Sequence, residues 1–298
     1  MNKFIACLPS IRPRFLLLAP FCVLLGQSIA YYQGYEFHLL AFVLTLIGAL
    51  FSAIAVNTLN EYQDFISGLD LITSPTPFSG GSGLLKVNPS LAKNVLALAL
   101  ISSAIVIAIG LYFIVTIGKA IIPLGILGLL IIATYTKWLN KEPILCLIAP
   151  GLGFGILMVV GSYFTQTSHY SSETVLISLI PFFLVNNLLL LNQFPDIDAD
   201  QKLGRNHLSI KYGTKNASWV FLLFTFMTIG VLLTLVSKNA LPYLSLLCLV
   251  PIALNFIVFT KIFFLGKRIA KQPKYMILNV ISANLTPFLL AITLFVSS

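Results

Sequence analysis

The side chains able to do polar chemistry in this chain are few and gathered. All five aspartates lie in two short stretches, Asp64 and Asp70 in NEYQDFISGLD and Asp196, Asp198 and Asp200 in NQFPDIDAD. Each stretch opens on an asparagine, Asn60 or Asn192, and each closes a long apolar run. Carboxylates that converge on one pocket repel each other unless cations hold them, and such hard oxygen donors suit Mg²⁺. Mg²⁺ keeps one or two carboxylates and fills the rest of its shell with water and substrate phosphate oxygens. Two acidic walls on one pocket therefore predict a metal-bridged diphosphate between them. Solvated helix ends, or pairing with Lys202 and Arg205, would account for one such stretch better than for two that hold every aspartate.

Helices must position these groups. Asn60 and Asp64 are four apart, as are Asn192, Asp196 and Asp200, so each set follows one helical face with ~40° of drift per step. Asp198 points elsewhere on an unbroken helix. Asp70 joins the first face only if the helix breaks, and Ser67-Gly68 supplies a break. Pro195 removes a backbone donor and loosens the chain before Asp196. Partly unwound ends are tolerated where they border a cavity.

Composition sets the surroundings. Hydrophobic residues make up 58% of 298 and charged ones 9%, with mean hydropathy +0.98. Apolar runs of about 20 residues without strict alternation are transmembrane helices. About nine spans are expected, near 12–33, 38–60, 91–117, 119–136, 144–165, 173–195, 216–237, 241–264 and 275–297. With the N-terminus inside, 16 of the 18 Lys and Arg face the cytoplasm and only Lys119 and Lys238 face out. The positive-inside rule supports that orientation and places both acidic stretches on the cytoplasmic side. The first thirty residues could pass for a secretory signal, but removing them would spoil this charge pattern. The expectation is one transmembrane domain over 1–298, in the lipid bilayer of a prokaryotic cytoplasmic membrane. Lys261, Lys267, Arg268, Lys271 and Lys274 read as anchors to anionic lipid, and no soluble domain is present to bind nucleic acid. The four scattered cysteines read as small packing residues.

The two clusters resemble the aspartate-rich motifs of the UbiA-type intramembrane polyprenyltransferases, the first as Asn60, Asp64 and Asp70, the second as Asp196 and Asp200 preceded by Asn192. About nine helices with motifs after the second and sixth resembles that family's architecture, an all-α polytopic bundle with a cytoplasm-facing site. The Asp64 to Asp70 gap, PFSGGSG at 77–83, GLGFGILMVVGSYFTQT at 151–167 and DIDADQKLGR at 196–205 look most like the 1,4-dihydroxy-2-naphthoate branch. The resemblance implies that Asp64, Asp70, Asp196 and Asp200, with Asn60 and Asn192, hold Mg²⁺. A polyprenyl diphosphate would then ionise to an allylic cation, which an aromatic acceptor attacks. For dihydroxynaphthoate the prenyl group replaces the carboxylate as CO₂. Two departures stand out: Glu61 follows Asn60 where Asp is common, and no arginine follows the first motif. Lys137 and Lys141 are the nearest basic substitutes, with Lys137 given a catalytic role beside Asp64 and Asp196. Lys202, Arg205 and Tyr135 complete the expected substrate contacts. The acceptor alternatives are 4-hydroxybenzoate or another phenol. A cation-coupled secondary transporter is the alternative of another class, although its carboxylates belong near the bilayer midplane.

Other residues carry paired readings. Asn186 and Asn187 bond across helices or touch the acceptor. Tyr135 lies above the pocket or anchors the interface. His38 and His169 are outer surface histidines. His207 touches phosphate or is a solvated loop residue. Gly80, Gly81 and Gly83 form a phosphate-cradling turn or a flexible loop.

Overall fold

Long apolar runs leave the backbone one means of satisfying itself, and the chain takes it almost throughout. A computed structural model describes residues 3–73, 76 and 78–298, and among these there is no strand. The first span is α1 (Leu18–Tyr32), led by a segment Leu8–Leu16 inclined to it by 43°. There follow α2 (Leu39–Ser67), α3 (Pro89–Ile117), α4 (Lys119–Thr134), α5 (Pro143–Thr167), α6 (Ser172–Asn192), α7 (Gly213–Ser237), α8 (Tyr243–Lys271) and α9 (Pro273–Val296).

Seven of these are long and apolar enough to cross a bilayer, and the bent leader with α1 makes an eighth. The fourth expected span, near 119–136, is not a full one. Helix α4 rises roughly 24 Å at 1.5 Å per residue, short of a ~30 Å hydrocarbon core. Two boundaries also move, because α2 runs on to Ser67 and α6 stops at Asn192. Asn60 and Asp64 therefore ride the last turns of a continuous helix, while Asp196 begins a separate short helix, Ile197–Lys202.

Helix α6 is the central post, with 72% of its apolar window inside the protein. Its Ile177, Ile180, Leu184 and Leu188 share a core with α1, α5, α7 and α9. Amides tie the posts together. Asn187 Nδ2 donates to the Phe221 carbonyl at 2.9 Å and to Thr225 Oγ1 at 3.2 Å, and Asn186 Oδ1 accepts from Gly151 N at 2.6 Å. Such bonds between helices in lipid contribute about 0.6 kcal/mol on average. Both asparagines thus serve the helix joints. The cysteines are all buried and free.

Helix α5 is irregular where it meets α6. After Pro150 its turns widen into a π-helix over Gly151–Met158. A Cβ on Gly155 would lie 2.4 Å from the Phe182 backbone, so this glycine lets α5 and α6 touch main chain to main chain. Widened turns of this kind gather at functional sites because they re-aim side chains. Here they turn Phe154 toward two cavities.

Candidate active site

Both acidic stretches reach the same cavity, at one end of the bundle. Helix α2 carries Asn60 and Asp64 there and stops at Gly68, whose φ of +82° closes the helix in the left-handed region. That reversal starts the short helix Leu69–Ile72 and brings Asp70 inward. Opposite, α6 delivers Asn192, the chain turns through 193–196, and Asp196 and Asp200 follow on Ile197–Lys202. Asn60, Asp64, Asp70, Asn192, Asp196, Asp200, Tyr135 and Arg205 all line this cavity of about 170 Å³.

The loop after the first motif joins the two walls. Gly80 N donates to Asp196 Oδ2 at 2.8 Å, and Ser82 N donates to Glu61 Oε2 at 2.9 Å, with the Ser82 hydroxyl on the other Glu61 oxygen. Gly80 and Gly81 hold φ near +75°, and a Cβ on Gly81 would sit 3.1 Å from Asp70 Oδ1. The glycine run is therefore an ordered turn that passes against carboxylates. Glu61, the family departure, is fully buried and serves as this loop's anchor.

The electrostatics are those of carboxylates crowded into a buried pocket. Burial, then the neighbouring Glu61 and Asp64, push Asp70 up to about 7. Burial, then Asp200, push Asp196 up to about 7 against the donated Gly80 N–H. The guanidinium of Arg205 bridges the walls, bonded to Asp64 Oδ1 and, at 3.0 Å, to Asp200 Oδ1. Burial works against that charge, but Asp64 and Asp200 outweigh it and hold the guanidinium proton more tightly than usual. His207 is buried and reaches Asp200 Oδ2 at 3.2 Å.

Among the described residues, no three His, Cys, Asp or Glu side chains stand close enough to enclose a metal ion. Two acidic walls lining one cavity still fit an ion that shares its shell with a diphosphate. Asp70 Oδ2 and Asn192 Oδ1 are buried without a partner, and a guanidinium already stands between the motifs as a positive stand-in. The donor set is all hard oxygen, as a divalent magnesium-like ion requires.

Several expected contacts fall elsewhere. Lys137 is exposed and lies over the Trp138 ring at 5.6 Å, and Lys141 is exposed as well. The turn after α4 sends Asn140 inward and both lysines outward. Lys202 is exposed because two residues beyond Asp200 lies about 200° around a helix. Asp198, as expected, points away and pairs with Lys267 at 2.5 Å. His207 is neither solvated nor loose, and Asn186 and Asn187 do not line the cavity. His38 and His169 are exposed, with His169 bonded to Tyr35 at 2.8 Å. Several polar lining residues were not anticipated, among them Asn57, Asn140, Gln193 and Arg12, the last 52 positions before Asp64. The signal for Arg12 was the Arg-Pro pair that interrupts the first apolar run.

A second, larger cavity of about 470 Å³ continues from the first between α2, α3, α4 and α5. Asn57, Asn60, Tyr135 and Phe154 line both. Its walls are Val106, Ile114, Leu129, Ile132 and their apolar neighbours. Exposed Ile107, Leu111 and Ile126 belong to the same lining, so the cavity reaches the bundle's lateral surface.

Comparison with known proteins agrees with this fold. A 1,4-dihydroxy-2-naphthoate octaprenyltransferase of Bacillus subtilis is 32% identical over 212 residues, which are 69% of this chain and 65% of that protein. The chain thus spans just under two thirds of that relative's length. An apo UbiA homologue from Aeropyrum pernix shares the fold at TM-score 0.70 and 18% identity, over 93% of this chain and 97% of that one. A UbiA homologue from Archaeoglobus fulgidus bound to DMAPP and Mg²⁺ shares it at TM-score 0.63 and 16% identity, over 96% and 99%. The model of the UbiA prenyltransferase family matches residues 19–281, a stretch holding both acidic motifs and every span but the last half-helix, and the chain belongs to that family.

Proposed function

We propose that this chain transfers a polyprenyl group from an allylic diphosphate to an aromatic acceptor with Mg²⁺, and that the acceptor is 1,4-dihydroxy-2-naphthoate in menaquinone biosynthesis. One observation carries the reading: a cavity with two acidic walls opens directly into a long apolar one. A molecule with a charged head and a hydrocarbon tail is the ligand complementary to both. The Bacillus subtilis relative's name supports the acceptor, and the Archaeoglobus fulgidus neighbour, with its bound Mg²⁺, supports the metal.

Asp64 and Asp70 on one wall, and Asp196 and Asp200 on the other, would hold the metal, with Asn60 and Asn192 beside them. Mg²⁺, when bound, neutralises diphosphate charge and makes it a better leaving group. Arg205 then has a diphosphate to meet in place of the carboxylates it bridges. The C–O bond breaks with its electron pair staying on the diphosphate, and the allylic cation lies beside the rings of Tyr135 and Phe154, whose faces attract positive charge. The acceptor carbon bearing the carboxylate forms the new C–C bond, and CO₂ departs as the ring recovers its aromaticity. In this reading the site faces the cytoplasm of a prokaryotic cell, the side on which nearly all Lys and Arg lie.

The test is a membrane assay with labelled long-chain allylic diphosphate and dihydroxynaphthoate, with and without Mg²⁺. Metal-dependent lipophilic naphthol with loss of the carboxylate is the expected result. Product only with 4-hydroxybenzoate or another phenol would overturn the acceptor and keep the chemistry. No turnover with any acceptor would bring the cation-transport reading forward.

A further inference from the structure

We propose that Arg12 binds the donor's diphosphate at the end that carries the prenyl carbon, supplying the cation missing after the first motif. The inference rests on the reading of the site as a prenyl-diphosphate site. Among the described residues, Arg12 is the one charged side chain lining both the polar and the apolar cavity. That border is where the scissile C–O bond of a molecule occupying both must lie.

The guanidinium is held there and left unsaturated. Arg12 adopts φ 52° and ψ 67°, a left-handed conformation that side-chain-bearing residues rarely take, directly before Pro13. Asn57 Nδ2 fixes this turn by donating to the Ile11 carbonyl at 3.0 Å. Nη2 is 3.8 Å from Glu61 Oε2, longer than the ~2.7–2.9 Å of a charge-assisted hydrogen bond. Nε is buried with no partner at all. Arg205, in contrast, already bonds Asp64 and Asp200. A buried N–H of a permanent cation without an acceptor is costly unless a ligand supplies one. The planar fork suits two oxygens of one phosphate group. As the C–O bond breaks, the electron pair settles on the bridging oxygen, and Arg12 stabilises that charge while keeping its own protons.

Arg12→Gln and Arg12→Lys are compared with wild type and with Arg14→Gln, a variant at an exposed neighbour, as full-length protein in lipid nanodiscs. Binding of inorganic pyrophosphate with Mg²⁺ is measured by calorimetry, and turnover of geranyl diphosphate by steady-state kinetics. Arg12→Gln is expected to weaken pyrophosphate binding roughly ten- to a hundredfold and to lower kcat as well, with Arg12→Lys intermediate and Arg14→Gln unchanged. Arg12→Lys keeps the charge and guards against a variant that fails to fold. Pyrophosphate affinity and kcat within twofold of wild type in both variants would overturn the proposal, as would a change confined to the acceptor's KM. If wild type itself neither binds pyrophosphate nor turns over, the reading of the site fails first and separately.

Discussion

Arg205 does for Asp64 and Asp200 what a divalent cation would do for all four aspartates, and it does so incompletely. Burial first, and then neighbouring carboxylates, hold Asp70 and Asp196 up at about 7. Their folded values lie above the ordinary ~3.9 of aspartate, so the metal-free fold binds more protons than the unfolded chain between about pH 4 and 7. Its stability therefore falls as pH rises through that window. Metal must displace the same protons, so Mg²⁺ affinity should strengthen as pH rises through about 7, with proton release seen by calorimetry in two buffers of different ionisation heat. Affinity flat from pH 6 to 8 would count against these carboxylates as ligands. Asp64→Asn and Asp196→Asn should each lower Mg²⁺-dependent turnover by about a hundredfold or more, while Asp198→Asn, which touches only Lys267, should leave it near normal. The aspartates were legible in the sequence because charge is so scarce there. Arg12 was not, because it sits far upstream and reads as one more inward-facing charge. Lys137 and Lys141 were misplaced because nearness to a span's end does not say which way the next turn faces.

At the scale of elements, the π-turn of α5 separates two uses of glycine. Gly155 is packed against Phe182, whereas a Cβ on Gly153, which faces the apolar cavity, would meet nothing within 4 Å. Gly155→Ala should therefore force α5 from α6 and cost roughly 1–3 kcal/mol, seen as a lower Tm in detergent. Gly153→Ala should leave Tm unchanged. Gly153→Leu should fill the cavity and shift donor preference toward shorter diphosphates, measured as the ratio of kcat/KM for long and short chains. Equal ratios would mean the tail lies elsewhere. The helices themselves were plain from apolar run length, since a membrane leaves little choice. The cavity was not, because it is a space left by side chains missing from four helices at once. Nor was the shortness of α4, since hydropathy alone does not show where a helix begins to turn.

For the whole molecule, both motifs lie at one end of the bundle, and the proposed topology, which follows the charge bias, has that end face the cytoplasm. Single cysteines at Lys119 and Lys238, in a chain whose own four cysteines are buried and free, should react with an impermeant thiol reagent from outside intact cells. A cysteine at Lys202 should react only after lysis, and the reverse pattern would invert the topology. In the proposed function the donor lies with its head between the motifs and its tail between α2 and α5, where the acidic cavity meets the apolar one. The most direct measurement is an experimental structure with Mn²⁺ and a non-reactive allylic thiolodiphosphate. The expected result is anomalous metal density between Asp64 with Asp70 and Asp196 with Asp200, diphosphate against Arg205, and the chain running past Phe154. Metal density away from both motifs, or a tail outside the apolar cavity, would contradict it.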